Sequence, residues 1–414
     1  MVAIGKVQAR YAMPGAKQYL GSKSKVFVMQ GAPFFKALFG KGVMIPACNL
    51  RTQLGWKGVM RAAQEKKSAL MMEGAMSEVS KHGPDITQPK KGYSGLTPEQ
   101  ATKFMVETAE KVGFTQPLMW HVDHTTVQKD TPEAVEAARE QLGFYLKDGI
   151  AGSFSIDASF LQPHRNVAVT ADLAKPIVDS PLDLAIEVEV GEIGKAMAKA
   201  GAKVEGRQPT KLEKLAQATT VWEVRGILDD IERTEFVARY GREPEESEVM
   251  GYVPALMGLG VTPELIAIDN GSKHGNYAPG QEVNIFLGRT REIADAIYRY
   301  GMSIAQHGIT GTPESLLYLF ASAAGIVKGN VGTNWQNIAL QHMDPALSAQ
   351  MKAWAKDGGY DIKHATGTHL DEIAAMDQKY KDAVDQAAYE SMLVFIDAFR
   401  CANSGPMIVN SLQG

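Results

Sequence analysis

The chain reads as an α/β protein, a (β/α)8 TIM barrel, on three observations. Eight short runs, apolar on both faces, recur between residues 43 and 340, as expected of parallel strands covered by helices. Helix-period segments fill the gaps between them, several opening on the same start signal. No Gly-x-Gly-x-x-Gly string follows the first run, which disfavours an open dinucleotide-binding sheet.

The strand candidates are residues 43–50, 69–76, 117–124, 152–158, 182–190, 264–270, 303–307 and 326–333. After the second, Thr97-Pro98-Glu99 predicts a helix over 97–112. Its hydroxyl can accept an orphan amide at the N-cap, and proline in the first position has no amide to lose. Thr131-Pro132-Glu133 repeats the device for 131–147, and Thr312-Pro313-Glu314 for 312–324. Segments 166–177 and 289–300 supply two more helices. Residues from about 195 to 250 interrupt the step between the fifth and sixth strands. This charged insertion, helical near 212–240, is expected to be a solvated arm or a subunit contact. A C-terminal helical extension, about 345–414 with a helix over 370–400, follows the barrel core of about 43–340, and the chain is expected to be one domain, 1–414.

Composition sets the class. Of 414 residues, 45% are hydrophobic and 22% charged, as in soluble globular proteins. A net charge of −4 leaves no basic excess to displace counterions from nucleic acid. Cys48 and Cys401 form neither a disulfide framework nor a metal motif. The first residues lack an apolar leader, and the longest apolar run, 316–327, is about half a bilayer span. A cytoplasmic protein without membrane or nucleic-acid partners is expected.

Barrel chemistry collects where strands end, because the following loops surround one mouth. Read in order, those ends carry Asn49, Asp123 with His124, Asp157, Glu189, His274, His307, and Asn330 with Thr333. Three imidazoles converging on an open position make a metal site. Singly, each residue has an ordinary explanation. A loop histidine is usually structural, and His82, His164, His342, His364 and His369 are read so. His121 is expected on the far side of its strand or in support of the site. Glu187 and Glu189 share a face by the two-residue period, and such pairs often meet solvent. Asp157 suits a loop cap and Asn330 a turn. The joint placement is what points to a site.

Six strings in succession then resemble one family. They are His121-Val122-Asp123-His124, Ser155-Ile156-Asp157-Ala158-Ser159, Glu187-Val188-Glu189-Val190-Gly191-Glu192-Ile193-Gly194, Ser272-Lys273-His274-Gly275-Asn276-Tyr277, His307-Gly308-Ile309-Thr310-Gly311-Thr312-Pro313 and Lys328-Gly329-Asn330-Val331-Gly332-Thr333. Their order over residues 43–340 is similar to that of the class II, metal-dependent ketose-bisphosphate aldolases. The resemblance implies His124, His274 and His307 as ligands of Zn²⁺ or another divalent transition metal. Glu189 would join in one metal position, and a monovalent cation is left open. It implies proton transfer by Asp123, contact of Asn330 with the ketose, and substrate or phosphate binding by Asn49, Gly275, Gly308, Thr310 and Thr333. The implied reaction is reversible cleavage of a ketose phosphate, foremost fructose 1,6-bisphosphate, to dihydroxyacetone phosphate and glyceraldehyde 3-phosphate. A homodimer or homotetramer is the implied assembly.

Three departures bear on the substrate. Ala278 stands where the family usually has a phosphate-side lysine, and Gly332 where it usually has Asp or Asn. Gly194-Lys195-Ala196 replaces the second glycine and acidic residues of a mobile loop. Two other readings are a Schiff-base aldolase using Lys328, and a catalytically silent sugar-phosphate or metal-binding barrel with a regulatory role.

Overall fold

The computed structural model describes residues 2–80, 92–190, 246–272 and 285–413. A short strand, β1 (Phe27–Val28), precedes eight parallel strands that coincide with the predicted runs. These are β2 (Ile45–Asn49), β3 (Leu70–Ala75), β4 (Pro117–Thr126), β5 (Ala151–Asp157), β6 (Ala185–Val190), β7 (Leu265–Ile268), β8 (Ser303–Gln306) and β9 (Ile326–Val331). Each pairs with the next, and β9 returns to β2 in the register Ile45↔Lys328 and Ala47↔Asn330, which closes the barrel. Every barrel-strand residue is buried except His124 and Thr126, so both strand faces are covered. That two-sided burial is why the runs are continuously apolar rather than alternating.

Helices wrap the outside. The chain opens with α1 (Val2–Tyr11), α2 (Gly31–Leu38) and α3 (Trp56–Glu65). Phe34 and Phe35 of α2 are buried, and this helix packs against β5 and β6. A Cβ on Gly31 would lie 2.2 Å from the Gly152 carbonyl oxygen, so only glycine permits the crossing. Then come α4 (Pro98–Val112), α5 (Pro132–Asp148) and α6 (Pro163–Val178). The Thr97 hydroxyl accepts from the Gln100 amide, and the Gln100 side chain accepts from the Thr97 amide, a complete capping box. Thr131 caps α5 in the predicted way.

Between β6 and β7 lies α7 (Glu246–Gly258), which includes the end of the predicted insertion. It packs on α6, with the Tyr252 hydroxyl 3.0 Å from Asn166 Oδ1. The expected helix near 212–240 lies outside the described residues. Next are α8 (Leu287–Tyr298) and α9 (Glu314–Ala323). The expected cap at Thr312 is not formed. Pro313 is the N-cap, because the Thr312 hydroxyl turns back to donate to the Gly308 carbonyl at 3.3 Å.

After β9 follow α10 (Thr333–His342), α11 (Pro345–Gly358), α12 (Leu370–Ala375), α13 (Gln378–Ala398) and α14 (Ser404–Ser411). The single helix expected over 370–400 is thus two. The Asp377 side chain accepts from the Lys379 amide and starts a new helix after an extended Met376. α13 lies close along α3, where a Cβ on Gly58 would sit 1.8 Å from the Asp385 carbonyl oxygen. No helix among the described residues is long and apolar enough to cross a membrane.

Candidate active site

The centre of the site comes from an irregularity in β4. Its register against β5 shifts between Val122 and Thr125, and His124 takes a left-handed φ of 41°. Regular pleating would send Asp123 and His124 to opposite faces; the bulge turns both toward the mouth. A β-position residue at positive φ costs on the order of 1–3 kcal/mol, a strain that recurs at functional sites. His124 Nδ1 lies 2.8 Å from Glu189 Oε1 and 3.7 Å from Asp157 Oδ2. His307, at the end of β8, brings its ring centroid to 4.5 Å from that of His124. Asp123, His124 and His307 each offer one ligand atom, and the three atoms lie within 4.8 Å of one another. Imidazole and carboxylate donors at that spacing fit a divalent cation with ligand bonds near 2.0–2.2 Å. His274 and Gly275 lie outside the described residues.

Asp123 is held from both sides. Asn49 Nδ2 donates to one carboxylate oxygen at 2.9 Å, and Asn330 Nδ2 to the other at 3.0 Å. Burial alone would raise its pKa, but His124, Lys328 and His307 outweigh burial and hold it well below the carboxylate range. Burial likewise would lower His124, yet Glu189 and Asp123 draw it well above the ordinary imidazole value. Asp157 is engaged by the Ser159 amide and hydroxyl as a loop cap, as well as facing His124. Glu189 is buried rather than solvated, and it accepts from the Ser155 hydroxyl.

Beneath this rim the barrel interior is charged, where aliphatic layers are usual. Lys328 Nζ lies 2.8 Å from Glu187 Oε2, 3.2 Å from Glu73 Oε2, 2.9 Å from His121 Nε2 and 3.7 Å from Asp123 Oδ1. All but Asp123 are fully buried. Burial and Lys328 together push His121 down to about 3, so its ring is neutral. Its Nδ1 is 2.9 Å from the Ser153 hydroxyl, which leaves Nε2 to accept from Lys328. His121 therefore points inward under the site. Burial would lower the Lys328 pKa, but Glu187, Glu73 and Asp123 raise it instead.

The rim opens into a cleft of about 740 Å³, lined among others by Asn49, Asp123, His307, Gly308, Thr310 and Thr333. The β8 side is braced by Gln306, whose Nε2 donates to the His307 carbonyl at 2.7 Å and whose Oε1 accepts from Asn270 Nδ2 at 2.7 Å. Thr310 Oγ1 accepts from the Asn334 amide at the start of α10. Sequence reasoning missed Arg51, Glu78 and Tyr93. Glu78 accepts from Arg51 Nε, Asn49 Nδ2, the Tyr93 hydroxyl and the Ala75 amide. Glu78 and Tyr93 lie beyond strand ends, where no strand or motif signal marks them.

The family described as Fructose-bisphosphate aldolase class-II matches residues 32–403. The fold is similar to that of a Campylobacter jejuni fructose-bisphosphate aldolase (TM-score 0.56, 14% identity, 89% of this chain and 93% of the other). It is also similar to a Coccidioides immitis protein provisionally described as a fructose-1,6-bisphosphate aldolase (TM-score 0.53, 16% identity, 91% and 98%). No curated protein sequence matches the chain.

Proposed function

The chain belongs to the class II fructose-bisphosphate aldolase family, and from that premise we propose a metal-dependent aldolase that reversibly cleaves a ketose phosphate, with fructose 1,6-bisphosphate the leading substrate. The observation that carries this reading is the convergence of His124, His307 and Asp123 at one point of the barrel mouth. In the proposal His124, His307 and His274 hold the ion, with Glu189 as a further ligand. Zn²⁺, or another divalent transition metal, supplies a Lewis acid for the ketone when bound.

The chain's own residues do the rest. Asp123 takes the C4 hydroxyl proton as the C3–C4 bond breaks and the bond electrons move toward the ketone carbonyl. In condensation it returns that proton. The two asparagine amides fix the plane of its carboxylate. Proton transfer by a positioned group contributes on the order of 10²–10⁴-fold. Asn330 Oδ1 is buried without a hydrogen-bond partner among the described residues, so it can accept a substrate hydroxyl. Asn49 spans Asp123 and Glu78 and holds the substrate side of the carboxylate. Gly308, Thr310 and Thr333 form the phosphate side, where barrel loops often bind that group.

Buried Lys328 is a poor Schiff-base nucleophile, since its carboxylate neighbours keep it protonated. A homodimer or homotetramer is the proposed assembly, read by sedimentation. The reaction is tested by incubating Zn²⁺-loaded protein with fructose and tagatose bisphosphates and coupling product to a dihydroxyacetone phosphate assay. Cleavage of at least one, with Asp123→Ala retaining metal and losing about 10²-fold or more in kcat, is expected. Bound metal with no turnover on any ketose phosphate supports the silent-barrel reading instead.

A further inference from the structure

Resting on the aldolase reading, we propose that Arg51 binds the phosphate of the carbonyl-side fragment of the substrate, and that Gly332 lacks a side chain to make room for it. Arg51 follows β2 and reaches across the cleft mouth to the β9 side. Its Nε donates to Glu78 Oε1 at 2.8 Å and its Nη1 to Thr333 Oγ1 at 2.8 Å. Nη2 makes no hydrogen bond among the described residues, and 21% of the side chain is exposed to the cleft. Glu78 is only 2% exposed and is pinned by three further donors. The guanidinium is thus fixed in orientation with donors left over, a fork suited to a phosphate or carboxylate.

Gly332 supplies the independent observation. Its φ of −111° and ψ of −60° are open to any residue, so conformation does not require glycine there. Space does. A Cβ at this position would lie 2.9 Å from Arg51 Cζ and Nε and 3.0 Å from Nη2. The two phosphate-side departures in the sequence then explain each other. Ala278 stands in the sequence where a lysine is usual, and Gly332 admits a different cation, Arg51. Thr333, Thr310 and Gly308 around it provide the hydroxyl and loop lining at the ends of β8 and β9. The chain Arg51–Glu78–Asn49–Asp123 also links the anion to the proton-transfer carboxylate, so a bound phosphate sets the ketose in register with Asp123.

Calorimetric titration of dihydroxyacetone phosphate and of unphosphorylated dihydroxyacetone into the Zn²⁺-loaded full chain tests this. Arg51→Met is expected to weaken the phosphate ester about 10- to 100-fold and dihydroxyacetone less than about twofold. Gly332→Ala, which keeps the charge but displaces the guanidinium, should produce a similar loss. Arg51→Lys should recover part of it, and Arg51→Met with Gly332→Ala should be no worse than Arg51→Met alone. Unchanged binding of the ester by Arg51→Met, equal loss for both ligands, additive losses in the double variant, or no binding by the wild-type chain each overturns the assignment. If wild-type protein binds the ester but cleaves no ketose phosphate, the aldolase reading falls, and the same affinity ratios still decide Arg51.

Discussion

Replacing Lys328 by Met should unmask the electrostatics beneath the site. The ammonium faces Glu187, Glu73 and Asp123 at 2.8, 3.2 and 3.7 Å, all in the buried interior. Removing one partner of a buried ion pair costs about 3–5 kcal/mol, because a charge is left without compensation. That is a large share of the roughly 5–15 kcal/mol by which domains are stable. The sign with pH follows from Glu187. Burial would raise its pKa, but Lys328, His121 and His307 outweigh burial and depress it. Its favourable contribution is therefore present above the unfolded value near 4.3 and is lost on acidification below it. In the variant the same carboxylate, deprived of its cation, resists ionisation. The stability gap should therefore widen as pH rises from 4.5 to 8, because only the variant is forced to ionise an uncompensated buried carboxyl. Urea unfolding of metal-free wild type and Lys328→Met at pH 4.5, 6 and 8 measures it, with Glu187→Gln added to recover more than half of the loss. A gap under about 1 kcal/mol at pH 8, against the 3–5 expected, or one indifferent to pH, would mean that Lys328 does not compensate these carboxylates.

Other outcomes follow from single contacts. Burial lifts Glu264 to about 7, where its side chain accepts from the Ile186 amide. A raised carboxyl pKa destabilises the fold as pH climbs from about 4.3 through that value, so Glu264→Gln should stabilise by about 3 kcal/mol at pH 8 and by nearly nothing at pH 4. Equal gains at both pH values would contradict the assignment. Gly58→Ala forces a methyl to 1.8 Å from a backbone oxygen of α13 and should cost about 3 kcal/mol; an unchanged denaturation midpoint would mean the helices separate freely. Borohydride added with a ketose phosphate should leave no adduct on Lys328 by peptide mass mapping, whereas a reduced imine there would restore the Schiff-base reading.

The barrel was legible because two-sided burial leaves a plain trace in strands such as 117–124 and 326–333. The rim was legible because polar residues at strand ends interrupt that trace. What alternation could not show is the bulge at Asp123 and His124, since a two-residue period places adjacent residues on opposite faces. The interior charges were read outward for the same kind of reason. Glu187 and His121 look like solvent or support residues until Lys328, from a strand far along the chain, supplies their counterion. Thr97, Thr131 and Thr312 all signalled their helices, but Thr312 does not cap its own, because its hydroxyl donates to the Gly308 carbonyl. Arg51 carried no signal alone; its meaning depends on the missing side chain at Gly332.

In the proposed reaction a divalent ion at His124 and His307 is required for cleavage. Ketose bisphosphate cleavage should vanish after exhaustive dialysis against a chelator and return as Zn²⁺ is titrated back, saturating near one ion per chain. Full turnover by protein shown by elemental analysis to be metal-free would contradict it.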